Sequence, residues 1–127
     1  MTRFANKVAV VTGAGQGMGR AIAQRLIREG ARVVAVDVQE ASARETIEQA
    51  GGDAAGVAQV CNIADSAAVK RLFAGVDERY GRLDVLVNNA GIGIFSTVAD
   101  MTAQQWADTI DTNLTGVYNC CHAVIPH

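Results

Sequence analysis

Four of the seven residues at positions 13–19 are glycines, and this cluster constrains the fold more than any other segment. It follows the run KVAVVT, residues 7–12, which is typical of a buried parallel strand. Beyond the glycines, apolar side chains at four-residue spacing predict an amphipathic helix with Met18, Ile22 and Leu26 on one face. A strand, a glycine turn and a helix in this order are typical of a phosphate-binding loop, although the common spacing G-x-G-x-x-G does not fit.

The rest of the chain alternates between strand and helix patterns. The predicted elements are a strand over 32–37, a helix around Ala43 and Ile47, a strand ending at Cys61, a helix over 65–80, a strand over 83–87 and a long helix after the capping box of Thr102 and Gln105. The long helix carries one apolar stripe, which consists of Trp106, Ile110, Leu114, Val117, Cys121 and Val124. Strands separated by helices imply a parallel sheet with right-handed crossovers.

Composition excludes several classes of protein. The 11 basic and 13 acidic side chains form no basic stripe, which disfavours nucleic acid as a partner, and the apolar runs are too short for a membrane span or a signal peptide. Cys61, Cys120 and Cys121 lack the spacing of a disulfide framework or a zinc site, even with His122 beside them. We therefore expect a cytoplasmic domain that binds no metal and buries its cysteines as small hydrophobes.

Each glycine of the cluster has a separate predicted role. We expect Gly13 to adopt a positive φ in the turn, Gly17 to let the loop approach a pyrophosphate, and Gly19 to allow close packing of the helix. The alternative is that the glycines only make a strand-to-helix turn. A glycine motif by itself does not decide between these interpretations.

Asp37 favours nucleotide binding. An acidic residue at the tip of the second strand, about twenty residues after a glycine loop, can accept hydrogen bonds from both ribose hydroxyls of an adenosine, and it would repel a 2′-phosphate. Gln16 and Val38 place no cation beside it. The sequence therefore predicts NAD rather than NADP as the cofactor, with a solvated Asp37 as the alternative.

Three motifs in this order resemble the short-chain dehydrogenase/reductase family of the classical type. They are T-G-x-x-x-G-x-G at Thr12, Gly13, Gly17 and Gly19, NNAG at 88–91, and NLTG at 113–116. The resemblance implies a Rossmann-like doubly wound α/β sheet with strand order 3-2-1-4, and one dinucleotide-binding domain over 1–127. We expect that domain to be incomplete at its C terminus, before a fifth strand.

The same resemblance implies a set of site residues. Residues 88–91 would brace the sheet and lie along the cofactor, and Asn113 would be the asparagine of the family's Asn-Ser-Tyr-Lys catalytic set. The implied cofactor-binding residues are Gly13, Gln16, Gly17, Met18, Gly19, Asp37, Asn62, Ile63, Asn89, Ala90 and Gly91. Asn62 departs from the aspartate that the family often has near the adenine. From the residues alone, Asn88 and Asn89 could be turn residues and Asn113 could face solvent.

The family's Tyr-x-x-x-Lys pair does not occur in these 127 residues. Tyr118 and His122 have the same spacing, but we expect Tyr118 to be a packed residue and not a substitute. Without a fifth strand, the fourth strand would be an open apolar edge and the long helix would expose its stripe, which predicts a homo-oligomer or a missing complementary segment.

These observations predict an NAD(H)-dependent oxidoreductase that interconverts an alcohol and a ketone or aldehyde, with this chain as its cofactor-binding half. The alternative is a non-catalytic nucleotide-binding module that acts with a partner. A methyltransferase is disfavoured because Val11 and Thr12 lead into the loop, where that class usually has an acidic residue. No pattern in the chain identifies the substrate.

Overall fold

Four short strands, rich in valine and alanine, form one parallel sheet. The computed structural model describes residues 2–127 and places the strands at Val8–Thr12 (β1), Arg32–Asp37 (β2), Gly56–Val60 (β3) and Val85–Val87 (β4). Their order in the sheet is β3-β2-β1-β4, as predicted. All five residues of β1 are buried because helices cover both faces of the sheet.

Five helices connect and follow these strands. They are α1 (Gly17–Arg28), α2 (Glu40–Glu48), α3 (Ser66–Tyr80), α4 (Ala103–Ile110) and α5 (Gly116–Val124). Both predicted glycine ends are confirmed, since φ is +101° at Gly30 and +68° at Gly81. The capping box of Thr102 and Gln105 is also confirmed at the start of α4. No helix within residues 2–127 is long and apolar enough to cross a membrane.

The sheet divides the core into two layers. On one face, Val10, Val34 and Val36 pack with Val69 and Phe73 of α3. The opposite face carries alanines, and the residues of this second layer are Ala9, Val11, Ala14, Ala23, Leu26, Ala31, Val33, Ala35, Ala43 and Ile47. Because alanine side chains are small, α1 and α2 lie close to the strands, and this closeness brings α2 against the glycine loop.

The strand register aligns the ends of three strands. Thr12 pairs with Val36 across β1 and β2, and Val11 pairs with Val87 across β1 and β4. Because the strands are parallel, the glycine loop, Asp37 and the NNAG segment all leave the sheet at the same edge. The fold therefore gathers three predicted motifs at one place.

Two expectations for the helices are wrong. Met18 does not belong to the buried face of α1, since its side chain is 77% exposed; α1 begins only at Gly17, and its first turn extends past the sheet. The predicted long helix is interrupted by a π-helical segment, Asp111–Thr115, which joins α4 to α5. The wider π turn rotates the two halves relative to each other, so the apolar stripe is not one continuous face.

The side of the molecule beyond β4 is apolar and uncovered in residues 2–127. Strand β4 pairs only with β1 among the described residues. The exposed apolar side chains of the following loop and helices are Ile92, Phe95, Val98, Trp106, Leu114, Tyr118 and Ile125. The expectation of an open edge and an exposed stripe is confirmed for β4, Trp106 and Leu114, whereas Ile110 and Val117 are partly buried.

Candidate cofactor site

A cavity of about 670 Å³ lies at the carboxyl edge of the sheet. Every predicted cofactor-binding residue except Gly19 lines it: Gly13, Gln16, Gly17, Met18, Asp37, Asn62, Ile63, Asn89, Ala90 and Gly91. Sequence reasoning did not include the remaining lining residues, which are Val36, Val38, Gln39, Cys61, Ile92 and Thr112. Four of them, Val38, Gln39, Cys61 and Ile92, lie within two residues after a strand end or a predicted position, so the strand boundaries could have indicated these four.

The glycine loop makes a tight turn between β1 and α1. Gly13 and Gly17 have φ angles of +64° and +56°, a region that glycine enters without steric cost. A Cβ atom on Gly13 would lie 2.8 Å from the Cα atom of Ala90, whereas one on Gly17 would meet nothing within 4 Å. Helix α1 then starts with no side chain capping its first N–H groups, and Gln16, Gly17 and Met18 at this end of the helix line the cavity.

Asn89 and Thr12 join the ends of β1 and β4. The Thr12 hydroxyl oxygen accepts hydrogen bonds from the backbone N–H groups of Asn89 and Ala90, at 3.1 and 3.0 Å. The Asn89 amide group donates to the carbonyl oxygens of Thr12 and Gly13, each at 3.2 Å. The bracing role implied for the NNAG segment is therefore present at Asn89. Asn88 instead donates to the Cys121 sulfur at 3.4 Å.

Asp37 is held by backbone groups on both of its oxygens. Its Oδ2 atom accepts a hydrogen bond from the N–H of Gly15 at 2.9 Å, and Oδ1 accepts one from the N–H of Gln39 at 3.0 Å. Each carboxylate oxygen can accept a second hydrogen bond. Asp37 is the only charged residue among the described residues that line the cavity, which gives this end of the site a negative character.

The loop after β3 is fixed from two sides. The Asn62 side-chain oxygen accepts from the N–H of Ala64 at 3.0 Å, which leaves its amide N–H₂ group for other partners. The buried side chain of Asn119 donates to the Ile63 carbonyl oxygen at 2.9 Å. A Cβ atom on Gly116 would lie 2.7 Å from the Ile63 side chain, so α5 packs directly on this loop. Sequence reasoning missed Asn119, which lies 56 residues from its partner.

Asn113 lies in the π segment and not along the cavity wall. Its Oδ1 atom accepts a hydrogen bond from the backbone N–H of Ile92, and its Nδ2 atom donates to the carbonyl oxygen of the same residue, both at 2.8 Å. The neighbouring Thr112 and Ile92 line the cavity. Asn113 therefore ties the loop after β4 to a helical irregularity of the kind that is frequent at functional sites.

Tyr118 and the cysteines lie elsewhere. The expectation of a packed tyrosine is wrong, because Tyr118 is 62% exposed and its ring centroid lies 5.4 Å from that of His122. Cys61 and Cys120 are buried as expected, and burial raises the pKa of the Cys120 thiol to about 12. The expectation of burial is wrong for Cys121, which is partly exposed and accepts a hydrogen bond from Asn88.

Comparisons with known proteins agree with this architecture. Residues 7–127 match the family described as short chain dehydrogenase. The 3beta-hydroxysteroid dehydrogenase of Mediterraneibacter gnavus is 46% identical over 125 residues, which cover 95% of this chain and 45% of that protein. This chain spans about half the length of the curated relatives that it matches.

Two solved structures have the same fold and hold different cofactors. One is a 3-ketoacyl-(acyl-carrier-protein) reductase from Brucella melitensis complexed with NADH, with a TM-score of 0.92, 34% identity, and coverage of 98% of this chain and 50% of that chain. The other is a metagenomic short-chain oxidoreductase in complex with NADP, with a TM-score of 0.91, 37% identity, and coverage of 97% and 57%.

Proposed function

The chain belongs to the short-chain dehydrogenase family, and from this premise we propose that it forms the cofactor-binding half of an NAD(H)-dependent oxidoreductase. The reaction is hydride exchange between the nicotinamide ring and an alcohol/ketone or alcohol/aldehyde pair. The observation that carries the proposal is the cavity at the carboxyl edge of the sheet, which both the glycine loop and Asp37 line.

The residues around the cavity suit the successive parts of a dinucleotide. The open side of Gly17 and the start of α1 receive the pyrophosphate, because N–H groups and the positive helix end favour negative charge. Asp37 would accept from the hydroxyls of the adenosine ribose, while Asn62, Ile63 and Val38 would contact the adenine. Ala90, Gly91 and Ile92 line the remaining wall towards the nicotinamide.

The charges support NAD over NADP. Asp37 would repel a 2′-phosphate, and no lysine or arginine occurs among the described residues that line the cavity. The related structures hold either NADH or NADP, so the preference depends on the residues of this chain and not on the fold.

Asn113 serves this function as the asparagine of the catalytic set, by holding the loop that carries Ile92. A tyrosine and a lysine four residues after it would supply the proton transfer to the substrate oxygen. That pair does not occur in the 127 residues. The alternative function is a nucleotide-binding module that acts with a partner.

The proposal extends to the surroundings of the protein. The partners are a small alcohol or ketone substrate and a second copy of the chain or a complementary segment, since β4 and the neighbouring apolar surface lack a partner in residues 2–127. The reduced cysteines fit a cytoplasmic location.

Titration with NADH and NADPH, followed by nicotinamide fluorescence, tests the cofactor assignment. We expect the unaltered protein to bind NADH more tightly, and Asp37→Ser to reduce the ratio of the two affinities by roughly tenfold or more, because a charge-assisted hydrogen bond and a repulsion are both lost. Asp53→Ser, at an exposed carboxylate in the turn before β3, is the matched control. An unchanged ratio in Asp37→Ser would refute the ribose role.

Turnover by the 127-residue chain tests the non-catalytic candidate. We expect no NADH formation from a panel of secondary alcohols with the 127-residue chain, although it binds the cofactor. Measurable turnover would exclude the module without catalysis, and failure to bind either dinucleotide would exclude both candidates.

A further inference from the structure

Two consecutive residues of the glycine loop, Ala14 and Gly15, have both their N–H and their carbonyl group paired. The N–H of Ala14 donates to the Val36 carbonyl oxygen at 3.0 Å, and the N–H of Gly15 donates to the Asp37 carboxylate at 2.9 Å. The first half of the loop is therefore attached to the end of β2. This attachment fixes where the chain must turn before it reaches the first N–H groups of α1.

The carbonyl oxygens of the same two residues are bound from the other side. The Thr46 hydroxyl of α2 donates to the Ala14 carbonyl oxygen at 2.7 Å, and the Arg20 Nη2 atom donates to the Gly15 carbonyl oxygen at 2.6 Å. Thr46 is completely buried, and the Arg20 side chain is 24% exposed. Neither residue lines the cavity.

Arg20 and Thr46 form one unit and not two separate contacts. The Arg20 Nε atom donates to the Thr46 hydroxyl oxygen at 3.0 Å, and its Nη2 atom also lies 3.2 Å from both the Ser42 carbonyl oxygen and a Glu45 carboxylate oxygen. The Nε and Nη2 atoms carry three hydrogens in a rigid planar fork, so the guanidinium group can donate to Thr46 and Gly15 together, while the carbonyl oxygen of Ser42 and the Glu45 carboxylate share the remaining hydrogen. An ammonium group is a point donor and cannot reach both Gly15 and Thr46 in this way.

The orientation of these peptide groups matters for an anion. A carbonyl oxygen carries partial negative charge, so a loop whose carbonyl groups turned towards the cavity would repel a phosphate, whereas N–H groups attract it. Arg20 and Thr46 hold the two carbonyl oxygens on the α2 side. The residues of the same loop that line the cavity are Gly13, Gln16, Gly17 and Met18.

We propose that Thr46 and Arg20 are positioning residues for the pyrophosphate of the cofactor, acting through the carbonyl oxygens of Ala14 and Gly15. The inference rests on the proposed function, because it assumes that the cavity takes a dinucleotide. Helix α2 contributes none of the described residues that line the cavity. The proposal nevertheless gives this helix a role in setting the affinity for phosphate.

Phosphate binding can be separated from adenosine binding in the test. The dissociation constants of ADP and adenosine are measured by NMR titration for the unaltered protein, Thr46→Val and Thr46→Ser. We expect Thr46→Val to weaken ADP binding roughly tenfold and adenosine binding less than twofold, because the hydroxyl contacts the Ala14 carbonyl oxygen of the loop and neither Asp37 nor the residues proposed for the adenine. Thr46→Ser keeps the hydroxyl and restores ADP binding. Thr109→Val, whose hydroxyl donates only to Gln105 in its own helix, is the matched control.

A second variant keeps the test possible if Thr46→Val does not fold. Arg20→Lys keeps the charge but not the fork, and we expect the same selective loss for ADP; Arg44→Lys, an exposed arginine paired with Glu40 on α2, is its control. Equal weakening of ADP and adenosine, or unchanged ADP binding in both variants, would overturn the positioning role alone. An unaltered protein that binds neither ADP nor NADH would overturn the proposed function itself, and this inference with it.

Discussion

A Cβ atom on Gly19 would lie 2.1 Å from the backbone carbonyl oxygen of Gly13 and 2.5 Å from the Asn89 side-chain nitrogen. The first turn of α1 therefore lies directly on the turn that precedes it and on the amide group that braces the sheet. This closeness is possible only where a side chain is absent, because the nearest atom belongs to the backbone and cannot rotate away.

Gly19→Ala is accordingly expected to lower the free energy of unfolding by about 1–3 kcal/mol, since the added methyl group displaces the loop. Cofactor affinity should fall as well. Urea denaturation and NADH titration measure the two effects. Gly75→Ala is the matched control, because Gly75 is exposed within α3 and a Cβ atom there meets nothing within 4 Å. We expect that change to stabilise the helix by about 0.5–1 kcal/mol, and equal effects at both positions would contradict the close approach.

Asn113 is predicted to control the mobility of the loop after β4. Asn113→Ala removes both hydrogen bonds to the Ile92 backbone, each worth about 0.5–1.5 kcal/mol, so hydrogen exchange of peptides that contain Ile92 should accelerate by roughly tenfold or more. Gln104→Ala removes a side-chain hydrogen bond on the exposed face of α4 and should leave that exchange unchanged. Unchanged exchange in Asn113→Ala would show that the loop is held by other contacts.

The apolar surface beyond β4 predicts self-association. Trp106 and Leu114 are 61% and 65% exposed, and a monomer of 13.3 kDa would leave both side chains in water. We expect sedimentation to give a mass above that of a monomer, and Leu114→Glu to lower it. Val60→Glu, at an exposed valine on the opposite edge strand β3, is the control that should not change the mass. A monomer that unfolds cooperatively would contradict this prediction.

Much of the fold follows from local patterns in the sequence. Three of the strands, β1, β2 and β4, are apolar runs that end at a glycine, an acidic residue or an asparagine, and the capping box of Thr102 fixes the start of α4 without reference to the rest of the chain. The conformation of Gly13 follows in the same way, because the turn from β1 into α1 requires a positive φ. These features depend on neighbours within a few residues, and for that reason the sequence indicates them.

The features that sequence patterns did not indicate depend on distant partners. Thr46 binds a carbonyl group 32 residues away, and Asn119 binds one 56 residues away, so no local spacing marks either residue as part of the site. The π segment at Asp111–Thr115 is a further case. It changes the number of residues per turn without changing the apolar pattern, and the position of Asn113 in it is visible only in three dimensions.

Glu29 predicts a specific dependence of stability on pH. Its carboxylate is almost completely buried at the end of α1, where Arg3 donates to both oxygens at 2.6 and 2.5 Å and Arg25 donates at 2.5 Å. Hydrogen bonds from Arg3 and then Arg25 lower the pKa of Glu29 to about 2. Because the folded-state pKa lies below that of an unfolded glutamate, this carboxylate stabilises the fold above about pH 4.3, and its contribution is lost as the pH falls towards 2.

The free energy of unfolding should therefore decrease as the pH falls. Denaturant titrations between pH 5.5 and pH 2.5, in steps on the order of half a pH unit, measure this decrease. We expect Glu29→Gln to be less stable at pH 5.5 and to show a shallower decrease, because glutamine has no proton to gain. Hydrogen bonds from Arg82 and the Val8 N–H lower the pKa of Asp84 to about 2. This second carboxylate leaves a residual dependence of stability on pH in the Glu29→Gln variant. Glu48→Gln, at an exposed carboxylate near the end of α2, should keep the original slope. An identical slope in Glu29→Gln would show that the ion pairs with Arg3 and Arg25 do not form in solution.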